Sequence, residues 1–350
     1  MTHVVTGRAA ATSRLISPMP NGNLSDRLTW YASVARLAPS KHNTQPWSFV
    51  VREGSSLEFW NDASRALSVT DGRGRERVIA IGAAVHFACV AARAHGFEPH
   101  VELLPEGSGE LVARLTEAWP REVSGDDGGL FAAVGTRHTD RGPLDATPLP
   151  LSVPFLLQCA ATENGATLRF VRSRGERATL ASLVARADRL LASRGDLDRE
   201  LHPWLREEGD PRLDGVPVES TRGAAASYRA EFVQRDFSLG SSVPGQDRSG
   251  DDLPHVGVIW TKGDRAADWF VAGRGLAAVL LRATTFGANA SFLNQPLEEP
   301  SLRSELRDDL ELPGYGQVIL RIGVGAAVTP TLRRSVAELV THQGSPDVLS

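Results

Sequence analysis

The sequence predicts a layered α/β or α+β protein rather than a helical bundle, on three observations. Short runs rich in β-branched and aromatic residues, such as Trp47–Arg52 and His255–Thr261, alternate with long alanine-rich runs at about 77 to 94 and at Ala266–Thr285. At 350 residues the chain reaches the size at which one hydrophobic core stops growing, so two domains or one duplicated domain are expected. Several residue spacings also recur between the two ends of the chain.

Taken in order, residues 25 to 38 read as a helix that stops before Pro39, because a residue preceding proline is pushed out of the helical region. Trp47–Arg52 and residues 57 to 60 read as strands. A Gly/Arg turn at 71 to 75 leads into the first long apolar helix, closed by Gly96 as its C-terminal cap. That helix is apolar nearly all round, which marks it as buried. Gly82 and Gly96 bracket it, and Gly273 and Gly287 bracket the second with the same spacing. Asn43 precedes a strand containing Phe49 and Val50, as Asn164 precedes one containing Phe170 and Val171. These matches predict an ancient duplication, with extra material in the second copy at about 196 to 254, where Gly, Pro, Asp and Ser are dense. A segment of that kind is either a lid or binding loop, or a disordered surface excursion. Beyond it follow the strand His255–Thr261, the helix Ala266–Thr285, a helix from 300 to 310 and a strand from 317 to 323.

An apolar content of 41% and a charged content of 23% describe an ordinary globular protein. A net charge of -4 supplies no broad positive field, which argues against nucleic acid and against an anionic membrane surface as partners. Residues 1 to 24 lack the apolar run of a signal peptide, and no later segment approaches the ~20 apolar residues of a membrane span, so a cytoplasmic protein with a disordered N-terminus is expected. Cys89 and Cys159 have no CxxC spacing and read as reduced core thiols.

The nine histidines never adopt HExxH or another metal-ligand spacing, so no metal is expected. Gly273-x-Gly275-x-x-Ala278 meets the dinucleotide fingerprint only formally, because it lies inside a predicted helix rather than at a strand-to-helix turn. Glu298-Glu299 and Asp308-Asp309 read as helix-start charge and solvated faces. Arg137-His138-Thr139-Asp140-Arg141 places two guanidiniums and a hydroxyl in one short turn, and Arg333-Arg334 forms a second cationic pair. Each suits phosphate oxygens, and each also suits a solvated surface. His42 and His138 stand inside candidate site turns.

The segment Pro39-Ser40-Lys41-His42-Asn43-Thr44-Gln45-Pro46-Trp47 resembles the flavin-binding turn of the nitroreductase superfamily, in particular its long, duplicated Acg-like branch. The resemblance spans most of residues 25 to 335 and is diffuse outside the motifs. It implies an α+β, nitroreductase-like fold: an internally duplicated pseudo-dimer with a central antiparallel-containing sheet flanked by helices. The implied division is a disordered 1–24, a degenerate half at 25–125, a complete half at 130–335 with the lid-like insertion, and a tail at 336–350.

It further implies FMN as cofactor, with NAD(P)H as a candidate co-substrate. Arg137, Thr139 and Arg141 look like the family's arginine-x-serine-x-basic start, which holds the phosphate and the ring edge. Arg333 and Arg334 match its C-terminal basic residues. Pro39, Ser40, Asn43, Gln45 and Trp47 stand for the turn given by a partner subunit, here supplied by the same chain, so a monomer is expected. Leu293, Asn294, Gln295 and Pro296 resemble the loop whose backbone N–H faces the flavin N5, a donor that stabilises charge developing there. Their plainer reading is a loop before the helix at 300 to 310.

No side-chain acid or base is then essential, since the cofactor carries the chemistry. The first copy lacks an arginine-serine start of its own, so one flavin per chain is expected. The sequence thus supports an FMN-dependent oxidoreductase passing hydride from NAD(P)H to a small organic acceptor. It also admits an FMN-sequestering or storage protein whose lid blocks the nicotinamide site, and a flavin-free protein that retains an old fold.

Overall fold

The computed structural model describes residues 16–103, 109–142, 144–145, 147–217, 232, 254–325 and 330–344. The chain is α+β, as expected. Its first half runs α1 (Leu24–Ala35), β1 (Trp47–Arg52), β2 (Ser56–Asn61), α2 (Arg75–Ala94), β3 (Phe97–Leu103), β4 (Leu111–Pro120) and α3 (Gly125–Thr136). The second runs α4 (Val153–Glu163), β5 (Thr167–Val171), α5 (Arg174–Ala192), α6 (Gly195–Leu201), β6 (Leu205–Arg206), β7 (Val216–Pro217), β8 (His255–Thr261), α7 (Ala266–Thr285), β9 (Asn289–Phe292), α8 (Gln295–Glu298), α9 (Pro300–Asp309) and β10 (Tyr315–Gly323), with α10 (Val336–Leu339) and β11 (Val340–Gln343) closing it.

The antiparallel sheet occurs twice, once per half. One sheet has the order β11-β1-β2-β4-β3 and the other β5-β8-β10-β9. Setting β11 aside, each half places its first, second, fourth and third strands side by side, every pair antiparallel. In the first half the first two strands are joined across residues 53–55; in the second their connector runs from 172 to 254 and contains α5, α6, β6 and β7. The expected insertion at about 196 to 254 falls within this connector, and its residues 218–231 and 233–253 lie outside the described residues.

α2 and α7 form the seam between the halves. Each has 20 residues with a glycine at the eighth position, Gly82 and Gly273, so these glycines lie inside the helices instead of bracketing them. A Cβ on Gly82 would overlap the carbonyl of Phe270, and a Cβ on Gly273 would overlap that of Ile79. Phe270 and Ile79 are each the fifth residue of their helix, so the contact is reciprocal, as in an isologous two-fold interface. Beyond the ends, Gly96 and Gly287 take left-handed φ values of 85° and 73°, the conformation that terminates a helix on glycine. Gly275, the other glycine of the formal fingerprint, packs on Ala166, so both glycines of that motif serve close packing.

Three expectations need correction. Asn164 is not the counterpart of Asn43: it caps α4, whereas Asn43 stands in an extra stretch between α1 and β1. The N-terminal segment is not disordered where it is described, since Ile16 and Met19 pack on the first core and the Ser17 carbonyl accepts the Trp30 indole N–H at 2.7 Å. Nor are 336–343 a loose tail, because β11 pairs parallel with β1 and Leu339 is buried in the first core. Separately, α2 is long and apolar enough to cross a membrane by length and composition, yet most of it is buried as the central core helix. Alanine explains this: it raises hydropathy while permitting close helix packing.

An alanine for glycine inside a helix ordinarily stabilises by up to ~1 kcal/mol. At the seam the sign is expected to reverse: Gly82→Ala and Gly273→Ala should each destabilise by roughly 1–3 kcal/mol, read as a lower urea midpoint, because the backbones must separate to admit a methyl group.

Candidate functional site

A cleft between the halves encloses about 930 Å³ of space, its open mouth included. Its floor is apolar: Ile79 and Ala80 from α2, Leu276 from α7, Phe292 from β9 and Val318 from β10. Polar groups ring it, among them Ser40, Lys41, His42, Thr139, Arg141 and Asn294. A mostly apolar cleft with a few convergent polar groups is the usual form of a small-molecule site.

The turn after α1 is strained. His42, Asn43 and Gln45, none of them glycine, have φ values of 49°, 55° and 50°. Left-handed backbone of this kind costs of order 1–3 kcal/mol per residue and persists only where its surroundings over-determine it. Here they do. Asn43 Nδ2 donates to the carbonyls of Gly215 and Leu332, both at 3.0 Å, and Gly215 N–H donates back to the Asn43 carbonyl at 3.2 Å. Gln45 N–H donates to Ser40 Oγ at 2.9 Å, Gln45 Nε2 to the Leu213 carbonyl at 2.9 Å, and Arg334 N–H to Gln45 Oε1 at 2.8 Å. The turn is thus clamped by residues from the second half and held against the cleft.

Beside it lies a knot of positive charge. Arg137 and Arg333 both donate to the Leu37 carbonyl at 3.4 Å, Arg333 also to that of Ala38, and Arg36 donates to that of Arg334 at 3.2 Å. The Nε atoms of Arg36, Arg137 and Arg333 are buried and find no partner among the described residues. Burial pushes Arg137 down to about 10 and Arg36 down as well. Arg333 falls to about 9, from burial and from the charges of Arg137, Arg36 and Arg141. Arg141, which reaches the cleft, is lowered to about 10 by burial. The charge of Asp140, next to Arg141, opposes that shift. Buried like charges are unfavourable together, and an anion with several oxygens relieves them through charge-assisted, often bidentate, bonds.

The residues singled out in the sequence therefore separate into groups. Pro39, Ser40, Thr139, Arg141, Asn294 and Gln295 line the cleft. Arg137 and Arg333 stand in the arginine knot. Asn43, Gln45 and Trp47 are buried behind the turn, the first two as clamps and Trp47 in the first core. Arg334 turns toward Asp62 and Glu338 at 3.8 and 3.5 Å, and so differs from Arg333. Leu293 and Pro296 are buried, and the Leu293 N–H is committed to the Ile319 carbonyl at 2.9 Å. Proline carries no N–H, which leaves Asn294 and Gln295 as the loop's candidate backbone donors.

Sequence reasoning missed Arg36, Lys41, Glu76 and Glu298. Arg36 was hidden because helix α1 ends at Ala35, earlier than Pro39 suggests, and residues 36 to 38 tighten into a turn that brings its guanidinium into the knot. Glu298 and Glu299 are not solvated: Glu298 bonds Lys41 at 2.8 Å within the cleft and Glu299 bonds Arg194 at 2.8 Å. Asp308 and Asp309 are exposed as expected. Among the described residues, no group of three or more metal-ligating side chains converges.

Fold and cleft together define an α+β protein of two like-ordered halves around a cleft flanked by buried cations. No family model matches the chain. It is 28% identical over 346 residues to the protein named Putative NAD(P)H nitroreductase Rv3131 of Mycobacterium tuberculosis (strain ATCC 25618 / H37Rv), covering 97% of each. It is 28% identical over 314 residues to Putative NAD(P)H nitroreductase acg of the same strain, covering 89% of this chain and 93% of that protein. Uncharacterized protein Rv3127 of that strain is 26% identical over 324 residues, at 89% and 91% coverage. The Acg-like resemblance carried by the turn at 39–47 thus extends over most of the chain. Among solved structures, a nitroreductase-like family protein from Bacillus cereus reaches a TM-score of 0.35 at 12% identity, covering 63% of this chain and 96% of that one, a likeness too distant to carry an argument.

His138 supplies a pH signature of the knot. Burial, with Arg137 and Arg333, pushes its imidazole down to about 3, from an unfolded value near 6.5. Between those values the unfolded chain takes a proton that the folded chain refuses, so stability present above about pH 6.5 is lost as pH falls. His138→Gln should make the fall in urea stability between about pH 6.5 and pH 5 shallower by up to about 1 kcal/mol per pH unit.

Proposed function

We propose that the chain is an FMN-binding, nitroreductase-like oxidoreductase, acting in the cytoplasm as a monomeric pseudo-dimer with one flavin site. The observation that carries this reading is the knot of buried guanidiniums, of which Arg141 reaches the apolar-floored cleft. A phosphate monoester on a planar tricyclic ring matches that pair of features. Arg137 and Arg333, with Arg36 and Arg141 beside them, would hold the phosphate; Thr139 and Ser40 would meet the ring edge; Ile79, Ala80 and Leu276 would bound its face. The names of the full-length relatives support the same reaction class.

When bound, FMN supplies hydride acceptance and donation, so the protein's part is binding, orientation and exclusion of water. Asn294 and Gln295 offer amides along the cleft wall, and the clamped turn keeps Pro39 and Ser40 from moving as ligands exchange. NAD(P)H would be the donor and a small nitroaromatic or quinone the acceptor.

A second reading, FMN sequestration without turnover, is favoured by one observation: the described part of the insertion grips the site. Beyond Gly215 on Asn43, the Glu200 carboxylate accepts the N–H groups of Val69 and Thr70 and the Thr70 hydroxyl, the last at 2.7 Å. Asp214 likewise accepts from Arg65 at 2.8 Å.

Anaerobic mixing of FMN-loaded protein with NADPH or NADH separates the two readings. The oxidoreductase reading expects loss of flavin absorbance near roughly 450 nm, a cofactor property, and persistent absorbance with both donors would leave sequestration. An Arg137→Ala, Arg333→Ala double variant is expected to lose on the order of 3 kcal/mol of FMN affinity by equilibrium titration, and unchanged affinity would reject this assignment of the phosphate site.

A further inference from the structure

Lys41 stands apart from the arginine knot. Its Nζ lies 2.8 Å from Glu298 Oε1 and 3.4 Å from Glu76 Oε2, and it donates to the Thr70 carbonyl at 3.0 Å. An ammonium has three protons, and three protein oxygens stand within 3.4 Å of this one. They stand on three separate segments: the loop ahead of α2, the first turn of α2, and α8 of the other half. Lys41, Glu76 and Glu298 all line the cleft, and their side chains are only 8%, 8% and 2% exposed. Glu76 is itself anchored by Arg75 Nη2 at 3.1 Å.

A long side chain rooted in the first half and fastened to the second is a strap on the cleft wall. Its ammonium is held by protein oxygens, and the carboxylate of Glu298 balances its charge while Glu76 is shared with Arg75. What remains is its bulk and its fixed course beside the floor formed by Ile79, Ala80 and Leu276.

We propose that Lys41 is the specificity-determining residue of the cleft: tied to Glu298, it limits the room beside the cofactor slot, admitting small flat acceptors and resisting the nicotinamide end of a bulkier dinucleotide. The inference rests on the FMN reading above and adds what selects the second ligand. Shortening the strap opens the space beside the floor, and removing the charge of Glu298 loosens its hold on the second half while Glu76 and Thr70 remain.

The test compares the full-length FMN-loaded chain with Lys41→Ser, Lys41→Ser combined with Glu298→Gln, Glu298→Gln alone, and Lys41→Arg. Oxidised NADP binding is read by calorimetry and NADPH reduction by stopped flow. The Lys41→Ser variants should retain FMN, bind oxidised NADP roughly tenfold tighter, and show a lower KM for NADPH with little change in kcat. Glu298→Gln, which loosens the tether without orphaning a carboxylate, should gain a few-fold and carries the test if the serine variants do not fold; Lys41→Arg keeps the strap and should behave as the parent. Normal FMN uptake with unchanged affinity for oxidised NADP in Glu298→Gln and in whichever serine variants fold would overturn the strap alone. A parent chain that takes up no FMN would overturn the strap together with the reading beneath it.

Discussion

The close approach of α2 and α7 is the constraint on which the rest of the molecule depends. Two twenty-residue helices meet backbone to backbone because Gly82 and Gly273 each leave the space of a side chain to the other helix. With the helices fixed, the turn of the first half and β9 of the second come to face one cleft. Ile79, which touches Gly273, is also on the cleft floor, so the seam and the site share a residue. The reciprocal register and the repeated strand order give physical grounds for reading the chain as a fused pair.

The halves are alike in frame and unlike in equipment. Between α1 and β1 the first half carries the clamped, left-handed turn; between α4 and β5 the second has only Asn164 capping the helix and Gly165 at φ 83°. The arginine knot likewise draws on the end of α1, the turn after α3 and the stretch before α10, so it arises once. This asymmetry equips one end of the seam with the turn and the knot, where a symmetric pair would repeat them at both. The cost of holding left-handed residues and crowded guanidiniums is met by packing elsewhere, and such costs are tolerated where a ligand is received.

Much of the frame was legible in the sequence because it is written in period and punctuation. The strands Trp47–Arg52 and His255–Thr261 and the helix Ala266–Thr285 fall where the patterns place them, and Gly96 ends α2 as a cap should. What pattern could not supply was tertiary placement. Nothing in a window around Asn43 reveals that its amide bonds carbonyls at 215 and 332, and nothing around Glu298 reveals a lysine from the other half. Arginines 333 and 334 are chemically identical neighbours, yet one joins the knot and the other turns to Asp62 and Glu338. Motif resemblance singled out residues that the fold then divides into those lining the cleft and the clamps behind them.

At the centre stands the claim that buried guanidiniums await the phosphate of the cofactor. Comparing the affinity of the purified apo chain for FMN with that for riboflavin, which keeps the ring and lacks the phosphate, tests it most directly. FMN is predicted to bind tighter by about a hundredfold or more, with the difference shrinking in the Arg333→Ala chain. Equal affinity for the two would contradict the claim, since the knot would then have no part in holding the ligand.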